Sequence, residues 1–179
     1  MKVLARFILY TIIGWKTTGS FPKNLKKYIL IAAPHTHWLD FPLGLAIKYA
    51  EELPANYIGK ASLFKPPFGF IFKWLGGAPV DRSKSSNKVQ AIIDIFNSRE
   101  QFILAMSPEG TRKKVEKWKT GFYYIAKGAN VPIVMVTFDF KNKTSKISEP
   151  YYLTNSMKTD FDFFYNYFKG VEGKIPEYS

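Results

Sequence analysis

The 179-residue sequence contains no cysteine and only two histidines. Disulfides, thiolate metal sites and cysteine nucleophiles are therefore excluded, and any imidazole chemistry must run through His35 or His37. Acidic residues are scarce as well, 14 Asp and Glu against 26 Lys and Arg, which leaves a formal net charge of +12. That imbalance points to an anionic partner: nucleic acid, an acidic membrane surface or a phosphate-bearing substrate. No apolar run reaches the ~20 residues that cross a bilayer as a helix. No segment recurs at a fixed period and no long low-complexity stretch interrupts the chain, which argues against a solenoid or a disordered linker.

Apolar and aromatic residues are plentiful. Hydrophobic residues make up 46% and aromatic residues 17% of the chain, with only 22% charged, so one core can form in a single domain without staples. Rings beside a basic surface suit the headgroup layer of a membrane. They also suit single-stranded nucleic acid, whose bases stack on rings in a basic groove, but no nucleic-acid-binding motif accompanies the charge here.

The segment from Val3 to Trp15 is apolar apart from Arg6 and Thr11. Drawn as a helix at ~100° per residue, it places Lys2, Arg6, Lys16 and Thr17 on one side and Leu4, Phe7, Ile8, Tyr10, Ile12 and Trp15 around the rest. That pattern predicts an amphipathic membrane-interface segment over residues 1–20, ahead of a domain over 21–179. Two other readings are a helix packed on the domain and a secretory signal, although no small-x-small cleavage site is evident near Thr18–Ser20.

Short apolar runs bounded by Pro, Gly or Asn predict strands over 28–33, 56–59, 102–106 and 132–138. Helical patterns over 41–51, 87–98 and 119–128 lie between them, with Gly128 as a helix stop and Asp40 as an N-cap. Residues 141–150 read as a turn and an edge strand, and 161–168 as a closing helix. The alternation implies an α/β fold: a mostly parallel central sheet flanked by helices, with the short amphipathic helix in front and catalytic loops at the carboxyl ends of strands.

Three loops carry chemistry. Ala33–Pro42, APHTHWLDFP, follows the first strand, and Pro34 biases Ala33 to an extended backbone so that His35 emerges on a loop. Five positions separate His35 from Asp40, roughly 140° on a helix, so only a bend brings them together. If it does, the carboxylate fixes the imidazole tautomer and leaves the second nitrogen as a base. With no cysteine and no Ser elbow, the nucleophile would be a substrate hydroxyl. The plain alternative is a loop histidine beside a helix cap. Two histidines and an aspartate at this spacing match no common zinc pattern, so no metal is expected.

Leu75–Ser83, LGGAPVDRS, is a glycine turn that presents Arg82 to an anion, or simply a surface turn. Met106–Lys114, MSPEGTRKK, offers turn amides, Thr111 and Arg112 as an anion pocket, within which Glu109 must pair with a cation or orient the loop.

His35 with Asp40, Gly77–Arg82 (GAPVDR), Pro108–Arg112 (PEGTR) and Val131–Ile133 (VPI), in this order, resemble the four ordered motifs of the glycerophospholipid acyltransferase family, and most closely bacterial 1-acylglycerol-3-phosphate acyltransferases. The resemblance runs from His35 to Ile133. It implies transfer of a fatty acyl group from acyl carrier protein or coenzyme A to a lysolipid hydroxyl, with no cofactor beyond that thioester co-substrate. His35 would be the base and Asp40 its orienting partner, while Arg82 and Glu109, Gly110, Thr111 and Arg112 would hold the acceptor's anionic head. Lys60 would be a further phosphate contact. The expected partners are a lysolipid, a thioester carrier and an anionic membrane surface, with no nucleic acid, and the expected location is the cytoplasmic side of the cell membrane. Pro34 and Ser107 stand where the family often carries Asn and an aromatic, which leaves the acceptor open, a lyso-aminolipid being the other candidate. Leu63–Leu75 would wall an acyl tunnel or belong to the core, and Trp38 and Phe41 would shield the pair from water.

Overall fold

Tyr28–Ala33 is apolar at every position, the pattern of a strand covered on both faces of a parallel sheet. The computed structural model describes residues 1–80 and 88–179, without the side chains of residues 59–61, 63 and 78–80. In chain order the elements are α1 (Lys2–Arg6), which continues as a π-helical turn over Phe7–Ile12, β1 (Lys16–Thr18), β2 (Lys27–Ala33), α2 (Asp40–Ala50) and β3 (Ala55–Lys60). There follow α3 (Gly69–Trp74), β4 (Gly77–Val80), α4 (Lys88–Ser98), β5 (Phe102–Met106), α5 (Gly121–Ala129), β6 (Ile133–Thr137), β7 (Thr144–Lys146) and α6 (Met157–Phe168).

Five strands form one parallel sheet in the order β4-β3-β5-β2-β6. Side chains alternate across it. Ile29, Ile31, Leu104 and Met135 face α4, α5 and α6, whereas Tyr28, Leu30, Ile103 and Val136 face α2 and the N-terminal segment. The register sets Ile31 beside both Met106 and Met135, so β2, β5 and β6 end together and their outgoing loops share one edge. β5 enters late in the chain but sits beside β2, which brings the loop after Met106 against the loop after Ala33.

The predicted α/β fold and its four core strands are present, with ends within one residue of those expected. Four local expectations are corrected. Gly128 does not stop α5: the helix runs to Ala129 and Asn130 takes the left-handed turn at φ 50°. Gly128 instead lies against α4, where an added Cβ would stand 2.4 Å from Ile93 Cδ1. Residues 77–80 are not a turn but an edge strand, where Pro79 is tolerated because one side is unpaired. Asp40 is not an N-cap but the first helical residue, its carboxylate turned back into the preceding loop. Residues 63–75 are neither core nor tunnel as a whole, since α3 exposes most of its rings and, among the described side chains, only Phe72 reaches the cavity described below.

The N-terminal segment packs on the domain by a narrow stripe. Leu9 is fully buried, worth roughly 2 kcal/mol of apolar burial. Trp15 is buried with its indole N–H donating to Ser145 Oγ at 3.0 Å, where β1 pairs with β7. Arg6 and Lys2 meet Glu51 and Glu52, and the Tyr10 hydroxyl donates to Glu51. Val3, Leu4, Phe7 and Ile12 are left exposed. Among the described residues no helix is long and apolar enough to cross a membrane.

Candidate active site

The chain leaves β2 at Ala33 and folds back on itself before α2 begins. One atom organises this bend. Asp40 Oδ2 accepts hydrogen bonds from the main-chain N–H of Thr36 at 2.8 Å and of His37 at 2.9 Å, and lies 2.8 Å from His35 Nδ1. The bend required by the five-residue spacing is thus built by the same carboxylate that meets the imidazole. Asp40 is buried while the His35 side chain is 25% exposed, so the pair has a sealed side and an open side. With Nδ1 facing the carboxylate, Nε2 is the nitrogen left for other chemistry.

Glu109 fixes the other side of His35. Its Oε2 accepts the main-chain N–H of His35 at 2.7 Å and the Ser107 hydroxyl at 3.0 Å. Of the two roles open to Glu109 from sequence, orienting the loop is the one seen, and its carboxylate faces inward. Burial pushes the Glu109 carboxyl above its usual range, partly offset by the His35 N–H and the Ser107 hydroxyl, with the Asp40 charge adding to the rise. A carboxyl raised on folding opposes folding once pH climbs past its unfolded value, and the loss grows until the raised value is passed. Glu109→Gln retains an acceptor oxygen for both donors and cannot ionise. Its urea stability is therefore expected to fall less between pH 4 and pH 8 than that of the unaltered protein, and an identical pH slope would refute this account of the buried carboxylate.

The remaining residues of that turn divide. Arg112 lines the cavity together with His35, Asp40 and Ser107. Gly110, at φ 66°, packs against the Lys119 side chain, and Thr111 Oγ1 accepts the Lys113 N–H at 3.4 Å within its own turn. Lys60 ends β3 in register with Val80, with its side chain outside the described residues, and Arg82 also lies outside them. His37 serves the loop, its Nδ1 accepting the Leu39 N–H at 3.2 Å.

The cavity measures about 740 Å³, within the range of small-molecule sites. Its polar end is the cluster just described. Apart from Lys48 and Asn56, the rest of the lining is mainly apolar and comes from α2 and the sheet side, with Leu45, Leu53, Ala55, Ile58, Val136 and Phe138. Phe41, edge-on to Tyr57 at 5.1 Å, lines it, and Trp38 lines it while remaining exposed.

Two features had no signal in the sequence. Lys48 lines the cavity and donates to Leu75 O at 2.7 Å, burial drawing its ammonium below the ordinary lysine range. The C-terminal segment straps the loop that carries His35: Ile175 N–H donates to Thr36 Oγ1 at 3.1 Å, and a Cβ on Gly173 would stand 2.6 Å from Thr36.

The crystal structure of the 1-acyl-sn-glycerophosphate (LPA) acyltransferase PlsC from Thermotoga maritima has a similar fold, with a TM-score of 0.64 over 93% of this chain and 74% of that one, at 19% sequence identity. No curated protein matches the chain. The acyltransferase family model matches residues 16–139, a span that holds His35, Asp40 and the whole Glu109–Arg112 turn. On that match across most of its length, the chain belongs to the acyltransferase family.

Proposed function

We propose that the protein moves a fatty acyl group from a thioester of coenzyme A or acyl carrier protein to the hydroxyl of a membrane lysolipid, with 1-acylglycerol-3-phosphate as the acceptor. The observation that carries this reading is a His–Asp pair lining a largely apolar cavity that the Arg112 guanidinium also lines. His35 Nε2 takes the proton of the acceptor hydroxyl as its oxygen attacks the thioester carbonyl. The new C–O bond forms, the C–S bond breaks, and the leaving thiolate recovers the proton from the imidazolium. No acyl-enzyme is needed. Arg112 holds the acceptor phosphate, with Lys60 and Arg82 as the further cations proposed for it, and the apolar part of the cavity takes a hydrocarbon chain.

The reading places the protein on the anionic cytoplasmic face of the membrane, with the exposed apolar residues of segment 1–20 and the lysines of 23–27 and 113–119 towards it. The test is an assay of acyl-coenzyme A and acyl-carrier-protein donors against a panel of lysolipids. Phosphatidic acid formed from 1-acylglycerol-3-phosphate is the expected product. Turnover of a lyso-aminolipid alone would reassign the acceptor to a carboxylate-bearing head, and no transfer to any lysolipid would end the proposal.

A further inference from the structure

α3 is built inside out. Phe70, Ile71 and Trp74 fall within about 100° of one another on the helix and face solvent, with Phe68 just before it also exposed. Phe70 is 71% and Trp74 66% exposed, values that isolated surface rings seldom share with two neighbours. Phe72, on the opposite side, lines the cavity and meets Phe64 edge-on at 6.2 Å.

Beside the Phe72 contact, three side-chain hydrogen bonds hold this helix to the domain. Tyr57 Oη donates to Phe72 O at 3.1 Å, Lys48 Nζ to Leu75 O at 2.7 Å, and Asn56 Nδ2 to Gly76 O at 3.2 Å. These donors satisfy carbonyls at or just past the end of the helix that have no partner inside it. Gly69 permits the close seat at its start, since a Cβ there would stand 2.0 Å from Phe64 O. A helix tethered by side-chain hydrogen bonds, with its apolar face left outward, is arranged for an apolar medium beyond the protein.

We infer that the outer face of α3, Phe68, Phe70, Ile71 and Trp74, is a bilayer-docking surface that seats among anionic phospholipid headgroups beside the cavity wall. The choice of a lipid surface rests on charge and on side-chain type. Lys65 and Lys73 are exposed at the margin of the rings, on a chain of net charge +12. Trp and Phe flanked by cations are the residues that settle at a membrane interface. The N-terminal segment lies near the same end of α2: Arg6 reaches Ala50 O and Glu51 while Lys48 reaches Leu75 O, so α1 and α3 are both tied to the last turn of α2. Because Phe72 belongs to the same helix, docking sets the cavity wall at the level where lipid acyl chains lie. The inference rests on the proposed lysolipid acceptor, but its test does not depend on turnover.

The protein is sedimented with phosphatidylglycerol–phosphatidylcholine vesicles. Combined Phe68→Ser, Phe70→Ser and Trp74→Ser substitutions are expected to weaken binding roughly tenfold or more, with transfer to a short-chain acceptor below its micelle concentration unchanged. His35→Ala is expected to bind vesicles normally, so a failure of catalysis and a failure of docking read out separately. Trp74→Phe, a change that conserves packing, supplies the second measurement. Quenching of tryptophan emission by brominated acyl chains should be present in the unaltered protein and reduced in this variant. Unchanged binding by the triple variant, or quenching that does not involve Trp74, overturns the inference. So does a dimer that the triple variant dissolves in a protein that ignores vesicles, which would make the face a contact between copies of the chain.

Discussion

His35→Ala is expected to lower acyl transfer by about 10²–10⁴-fold, the range that a positioned general base supplies, in a protein that stays folded. The two halves of that statement come from different atoms. The main-chain N–H of His35, not its ring, donates to Glu109, so this anchor survives truncation. Asp40 Oδ2 keeps the Thr36 and His37 N–H groups as partners, so the bend also persists. What disappears is the imidazole alone, a side chain already partly open to the cavity. Initial rates with a thioester donor, set beside a urea unfolding midpoint, separate chemistry from stability. His37→Ala is the internal control: its ring serves Leu39 and does not line the cavity, so its effect on rate should be small. A His35→Ala protein with unaltered rates would leave the proposed mechanism without a base.

The strands were legible because the core strands of a parallel sheet are covered on both faces and read as unbroken apolar runs between Pro, Gly and Asn. His35 and Asp40 were legible as a pair only through the order of the loops around them. Strand order was not legible. Nothing local says that β5 lies beside β2, and that adjacency is what turns Glu109 from a supposed anion-pocket residue into the anchor of the His35 main chain. α3 misled because the hydrophobicity of Leu63–Leu75 is indifferent to which side faces out, and core or tunnel is the usual destination of so many rings. Residues 77–80 misled for the opposite reason: paired glycines and a proline are turn chemistry, yet an edge strand tolerates both. β1 and β7 have three residues each, too few to show a period. The Ile175–Thr36 contact spans 139 positions and rests on one hydroxyl.

Asp40 permits a sharper experiment than His35, because its two simplest replacements should fail in different ways. In Asp40→Asn the amide oxygen is forced to the Oδ2 position, where the Thr36 and His37 N–H groups both need an acceptor. The amide oxygen then still accepts from His35 Nδ1–H, so the tautomer and the bend are kept and only the negative charge is lost. A unit charge about 4 Å from the developing imidazolium is worth roughly 4 kcal/mol at an effective dielectric near 20, so a rate loss on the order of 10²–10³-fold is expected. The amide NH₂ would occupy the Oδ1 position, which is buried and without a partner among the described residues, at a stability cost of about 1–3 kcal/mol. In Asp40→Ala both main-chain donors are stranded and nothing holds the ring. Its rate should fall as far as that of His35→Ala, and the Asp40→Ala/His35→Ala double variant should fall little further, since the two residues act as one unit. Rates for the three single variants and the double, each with its unfolding midpoint, test the scheme. Additive losses in the double variant would mean that Asp40 acts on the reaction by a route other than His35, and an Asp40→Asn protein as slow as Asp40→Ala would mean that charge, rather than the held geometry of the loop, is all that Asp40 supplies.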